Sequence, residues 1–313
     1  QEQQNDISSF IDDAKAYPLE GVLGVDSFDI DIDDLYKNGL QRGDTTGHTT
    51  FDNLFSFTTS QLTVITGVPT HGKSNWLEHV CIKLAAQSDW KFGVFSPEHY
   101  PLQLHFSVLA EKFIGKSFRD LNMYERMSRE ELRSAKSFIS ENFNWIRPDG
   151  DVFTIDAILK SAAGLIKRHG IKGLIIDPYN KISAPFGSQS ETQYINEFLT
   201  KLTIFKQKYD IHIFLVAHPR KMQKKDNGQY EVPTLYDIAG SANFYNQVDN
   251  GITVYRNFET GLSHVYVQKV KFRHIGEIGE ATFQYNMQNG RYNELGEKID
   301  NSPYIKNEYN LDI

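Results

Sequence analysis

Cysteine is almost absent: Cys81 is the single one in 313 residues. One thiol cannot close an intrachain disulfide or build a cysteine-ligated zinc site, and it suits a reducing compartment. It falls on the apolar side of a helical pattern, the place of a small buried side chain rather than a reactive thiol. No run approaches the roughly 18 apolar residues that a membrane-spanning helix needs. A secretory signal is missing too: the chain starts at Gln1 and its first 15 residues are polar, which suggests a piece of a longer polypeptide. Internal repeats and low-complexity tracts are lacking. So is an excess of positive charge, since 33 Lys and Arg against 40 Asp and Glu give a net charge of −7. That balance argues against a surface coated in nucleic-acid-binding charge, but not against a ring whose few basic loops face inward.

What is present centres on residues 62–74, LTVITGVPTHGKS. The run Leu62 to Thr66 is apolar and β-branched, as in a buried strand. It leads into Gly67, Val68, Pro69, Thr70, His71, Gly72, Lys73 and Ser74, which satisfy G-x-x-x-x-G-K-[ST], with Asn75 next in line. Trp76, Leu77, Val80, Cys81 and Leu84 then recur at helical spacing. Strand, glycine loop and helix are the context in which this pattern means a phosphate loop. The glycines let the backbone approach a phosphate, and successive N–H groups form an anion nest at the helix N-terminus. Lys73 supplies a charge to the β- and γ-phosphates and Ser74 a hydroxyl to Mg²⁺. The expected ligands are therefore ATP or another NTP, with Mg²⁺.

Alternation of strands with helices over residues 50–286 predicts an α/β fold, a mainly parallel twisted sheet with helices on both faces. The strands fall at 62–66, 91–96, 173–177, 211–217, 250–255 and 265–272, with a short candidate at 144–147 and a last hairpin strand at 279–286. Residues 1–45 read as a linker with a polar helix in 1–20, residues 46–289 as the catalytic domain, and the polar 290–313 as a mobile tail. The aspartates at 29, 31, 33 and 34 lack the Gly and closing Glu of a calcium loop, so a solvated helix start is expected there.

Several strand ends carry chemistry. Asp177 closes the apolar third strand, where a carboxylate in a phosphate-loop enzyme holds Mg²⁺, or else simply caps a turn before Pro178. Glu98 follows the second strand, at the edge where such sheets bind ligands, and either deprotonates an attacking water or is a surface acid favoured by the dipole of the helix after Pro101. His218 follows the fourth strand and either senses the γ-phosphate or bonds a neighbouring loop. Arg220, Lys221, Lys224 and Lys225 are either a solvated run or a loop contacting nucleic-acid phosphates. Alternation puts Lys269, Lys271 and Arg273 on one strand face, which must be solvated or meet anions.

Taken together, GVPTHGKS, SPEHYP, LIIDPYN, VAHPRK, GSANFYNQVDN and KVKFRHIGEIG resemble the RecA-like ATPase domain of DnaB-like and Twinkle-like replicative DNA helicases, the motor of phage-type primase-helicases. These segments span most of the chain. The resemblance implies NTP-driven translocation on single-stranded DNA and duplex unwinding by a ring, usually a hexamer. It implies Glu98 as base, Asp177 as the second-motif carboxylate and His218 as γ-phosphate sensor, with DNA contacts from the loops at 184–193 and 220–228. A cation after the sixth strand would act across the subunit interface. Two extra residues before Gly276 leave Lys271 and Arg273 both open for that role. A fused or separate primase is an implied partner, and the cytoplasm of a bacterial or phage-infected cell the implied setting. The alternative is a RecA-like recombinase, or another phosphate-loop ATPase without helicase activity.

Overall fold

Strand residues of alternating side serve two separate cores, and that alternation sets the architecture. Leu62 and Val64 pack in one cluster and Ile65 in the other; Leu174 and Ile176 oppose Ile175, and Ile213 and Leu215 oppose Phe214 and Val216. A strand buried on both faces reads as continuously apolar, as these do. The computed structural model describes residues 21–120, 123–149, 152–183, 190–220, 222, 224, 229–238, 241–296 and 301–304. The expected helix in 1–20 lies outside them. The chain divides into two units, residues 1–41 and 42–313.

In the first unit the acidic stretch forms helix α1 (Asp29–Asn38), closed by Gly39 at φ 72. This is the solvated helix expected in place of a calcium loop. The second unit runs α2 (Thr49–Leu54), β1 (Leu62–Thr66), α3 (Lys73–Ser88), β2 (Phe92–Phe95), α4 (Leu102–Ile114), α5 (Arg129–Asn142), β3 (Phe143–Trp145), α6 (Ile155–His169), β4 (Gly173–Ile176), α7 (Glu191–Tyr209), β5 (His212–Val216), α8 (Ser241–Gln247), β6 (Asn250–Arg256), β7 (Leu262–Lys269), β8 (Gly279–Tyr285) and β9 (Tyr292–Glu294). Capping boxes open α5, with Ser128 and Glu131, and α7, with Ser190 and Gln193. No helix among the described residues is long and apolar enough to cross a membrane.

The described strands join in one sheet ordered β3-β2-β4-β5-β1-β6-β7-β8-β9. From β3 to β6 the pairing is parallel, and from β6 to β9 it is antiparallel. Helices α3, α4 and α5 cover one face, through Trp76, Leu109, Phe113 and Ile139. Helices α6, α7 and α8 cover the other, through Ile158, Phe198, Leu202 and Phe244.

Two expectations change. Residues 290–313 read as a mobile tail, yet Tyr292–Glu294 is the ninth strand. Arg291 is fully buried, donating to the carbonyls of Lys112 (2.7 Å), Phe113 (2.8 Å) and Ser302 (2.7 Å), and stacks on Tyr304. A fork that satisfies several carbonyls at once lets a charged residue enter a core; polar composition alone does not reveal this. Residues 297–300 and 305–313 lie outside the described part. Second, Lys269, Lys271 and Arg273 do not share a strand face. β7 ends at Lys269, so Lys271 and Arg273 lie beyond the ladder and the alternation does not reach them.

The lysines of that segment are tied to neighbouring groups. Lys269 bonds the carbonyls of Tyr245 and Val248. Lys271 Nζ sits 2.7 Å from Asp249 Oδ1, while Lys206 Nζ, itself buried, is 2.9 Å from Oδ2. The Leu62 N–H also donates to Asp249 at 2.8 Å. Burial alone would raise the Asp249 carboxyl, but these donors hold it below its ordinary value. A depressed carboxyl contributes stability that is complete above its unfolded value and lost as pH falls through the folded one. Asp249→Asn is expected to cost about 3–5 kcal/mol in urea unfolding at pH 7, because it strands Lys206 in the core. The gap between variant and wild type should narrow below about pH 4.

Candidate functional site

The strand order places β4 and β5 between β1 and β2, so the carboxyl ends of β2, β4, β5 and β1 lie side by side. Those ends carry Glu98, Asp177, His218 and the loop 67–74. Open parallel sheets bind ligands at that edge. Gly67 takes φ +151, and a Cβ there would lie 2.2 Å from the Val254 carbonyl oxygen. Gly72 takes φ +94 and forms the left-handed N-cap of α3, with Tyr292 Oη donating to its carbonyl at 3.2 Å. The ninth strand thus braces the phosphate loop.

Lys73 is buried, 5% exposed, and its ammonium donates to the carbonyls of Gly67 (2.9 Å) and Val68 (3.2 Å). Burial lowers it to about 8, against the pull of Asp177 and Glu98. Asp177 is also buried, which raises its carboxyl, while a hydrogen bond from the Ser74 hydroxyl and the charges of His99 and Lys73 oppose the rise. A hydroxyl at a helix start and a carboxylate at a strand end, both hard oxygen donors, fit Mg²⁺. Glu98 is exposed and pairs with Lys181 at 3.3 Å. Burial, then Lys73, hold His218 below its ordinary value, with Glu98 pulling upward, so the imidazole is neutral at pH 7; its Nδ1 is buried without a hydrogen-bond partner. Lys73 therefore feels the charge of Asp177 and Glu98, and His218 that of Lys73 and Glu98.

Other expected residues lie elsewhere. Val68 is buried, and Pro69 and Thr70 are exposed at the loop tip. The His71 side chain is a brace: it is buried, Nδ1 accepts from the Arg256 N–H at 3.1 Å, and the ring meets Tyr255 and Phe258. Asn75 Oδ1 accepts from Lys112 at 2.8 Å. Arg220 and Lys224 line a groove of about 700 Å³ shared with His71 and Arg256, and Lys224 lies over Tyr230. Lys221, Lys225 and residues 184–189 are outside the described residues. Lys271 and Arg273 are both exposed, Lys271 being tied to Asp249.

Sequence reasoning missed a buried cluster under the site. Glu78 on α3 lies 3.0 Å from Lys112 Nζ and 3.1 Å from His105 Nε2. Burial would raise its carboxyl, but Lys112, His105 and His99 hold it well below the usual range. The one available signal was spacing, since Glu78 follows Ser74 by a helical turn.

The loop geometry carries a direct test. Gly67→Ala should weaken nucleotide binding by about 10-fold or more, because a Cβ must displace the Val254 backbone; a fluorescent-nucleotide titration reads the change.

Known proteins share this fold. The model of the DnaB-like helicase C terminal domain matches residues 43–294. The Twinkle homolog protein, chloroplastic/mitochondrial, of Arabidopsis thaliana is 37% identical over 294 residues, which cover 90% of this chain and 41% of that protein. The chain thus spans about two fifths of that relative's length. Among solved structures, one described as an ATPase domain superposes with a TM-score of 0.71 at 16% identity, over 87% of this chain and 99% of that one. A DnaB-like replicative helicase, described with its interactions with primase, gives 0.69 at 16% identity, over 94% of this chain and 72% of that one. Both superpositions show the same RecA-like α/β fold. With most of its length inside the family match, the chain belongs to the DnaB-like helicase C-terminal domain family.

Proposed function

We propose that this chain is the motor of a replicative DNA helicase, hydrolysing ATP to move along single-stranded DNA and part a duplex. The observation that carries the proposal is the row of strand ends: a phosphate loop with Lys73, flanked by Asp177, Glu98 and His218. Family membership points the same way and favours this over a recombinase.

In this scheme the loop amides and Lys73 grip the β- and γ-phosphates, Lys73 leaving the carbonyls of Gly67 and Val68 for them. Ser74 and Asp177 would hold Mg²⁺, which neutralises charge on the phosphates. Glu98, at the solvent-facing side, takes the proton of the attacking water. His218, neutral and with Nδ1 unpartnered, is placed to respond to the γ-phosphate. Arg273 or Lys271 would reach the neighbouring subunit's nucleotide, Lys271 only after leaving Asp249. Arg220, Lys221, Lys224 and Lys225 would meet DNA phosphates in a ring, a hexamer by family habit, with primase as a fused or separate partner. The cytoplasm of a bacterial or phage-infected cell is the proposed setting; the plant relative's name places that protein in organelles.

The test is ATP turnover by the purified chain with and without single-stranded DNA. DNA should raise the rate. Lys73→Ala should abolish it, by about 100-fold or more, while the circular-dichroism melting curve stays in place. No response to any polynucleotide would sink the proposal, and mass photometry with Mg²⁺ and ATP reads whether rings form.

A further inference from the structure

His99 follows Glu98 directly, and its ring is held on three sides. Nδ1 lies 2.8 Å from Ser96 Oγ, and that hydroxyl donates onward to the Asp177 carbonyl at 3.0 Å. The hydroxyl proton is committed, so His99 Nδ1 must be the donor to Ser96. The other nitrogen, Nε2, lies 3.6 Å from Glu78 Oε1. The ring face stacks on His105, with centroids 4.4 Å apart. A cavity of about 10 Å³, the size of one water molecule, touches Ser74, Glu78, Ser96, His99 and Asp177.

Glu78, His99 and His105 bring ligand-type atoms within 4.8 Å of one another, but their chemistry turns them away from metal. Trp145 Nε1 donates to His105 Nδ1 at 3.0 Å, which puts the hydrogen on Nε2, where a metal would need the lone pair. The fully buried Lys112 ammonium holds the second Glu78 oxygen. The cluster instead links two parts of the nucleotide site. Glu78 stands on α3, whose first residues are Lys73 and Ser74, and His99 stands in the turn that bears Glu98.

We propose that His99 is a positioning residue. Held by Ser96 through Nδ1 and stacked against His105, with Nε2 beside Glu78, it fixes the turn after β2 so that Glu98 faces the phosphate loop, and it packs that turn against the helix that grips the phosphates. The proposal rests on Glu98 being the base. It explains why an exposed glutamate at a loop tip is anchored by a half-buried ring beside it.

The test compares His99→Phe, which keeps the ring and removes both nitrogens, with His99→Asn, which keeps a donor near the Nδ1 position. Both are measured in the full chain with single-stranded DNA, alone and in a Glu98→Gln background. Residual turnover in that background is read at high enzyme concentration. His99→Phe should lower kcat about 10- to 100-fold, the cost of a misplaced catalytic group. The KM for ATP, fluorescent-ADP affinity and melting temperature should stay close to wild type. His99→Asn should recover much of the loss. In Glu98→Gln, His99→Phe should cost nothing further, because the two act as one unit. Equal losses in both backgrounds, a loss confined to KM, affinity or melting temperature, or a wild-type kcat would overturn the proposal. If Glu98→Gln itself keeps wild-type turnover, the base assignment falls and this inference with it. If Glu98→Gln is inactive while His99→Phe turns over normally, only the inference falls.

Discussion

A lysine ammonium removed from water is the constraint around which this edge of the sheet is arranged. Lys73 is 5% exposed, and burial works against its proton, lowering its pKa to about 8. Two loop carbonyls and the fields of Asp177 and Glu98 keep the charge in place. Those carboxylates can help only because β4 and β5 lie between β1 and β2, which brings distant parts of the chain to within electrostatic reach. Fold topology and site electrostatics are thus one problem: a different strand order would leave the loop intact and its cation unsupported.

Much of this was legible in the sequence because it is written locally. The phosphate loop declares itself within eight residues, since only glycine fits where Gly67 approaches the Val254 carbonyl and only a cation and a hydroxyl serve at 73 and 74. Asp177, Glu98 and His218 were readable because each follows an apolar run, and apolar runs mark where parallel strands end. The mainly parallel sheet followed from the same runs alternating with helical periods.

What escaped depends on pairings far apart in sequence. Glu78, His105 and Lys112 look like ordinary residues of amphipathic helices until α3 and α4 are packed together. Arg291 and Tyr292 sit in a polar stretch whose composition suggests mobility, yet the fork of Arg291 meets carbonyls of Lys112, Phe113 and Ser302. The face assigned to Lys269, Lys271 and Arg273 failed because the strand ends at Lys269, so the two later cations have no ladder to alternate in. A period of two is a property of pairing and stops where pairing stops.

The hydroxyl of Tyr292 reaches back to the carbonyl of Gly72. During synthesis the glycine loop leaves the ribosome 220 residues before its brace does, which at typical elongation rates is an interval of roughly 10–45 s. Through that interval the nascent loop stands beside a growing sheet without the tyrosine that secures its last carbonyl. The buttressed grip on nucleotide is accordingly acquired only after β9 has emerged, well after the loop and its helix.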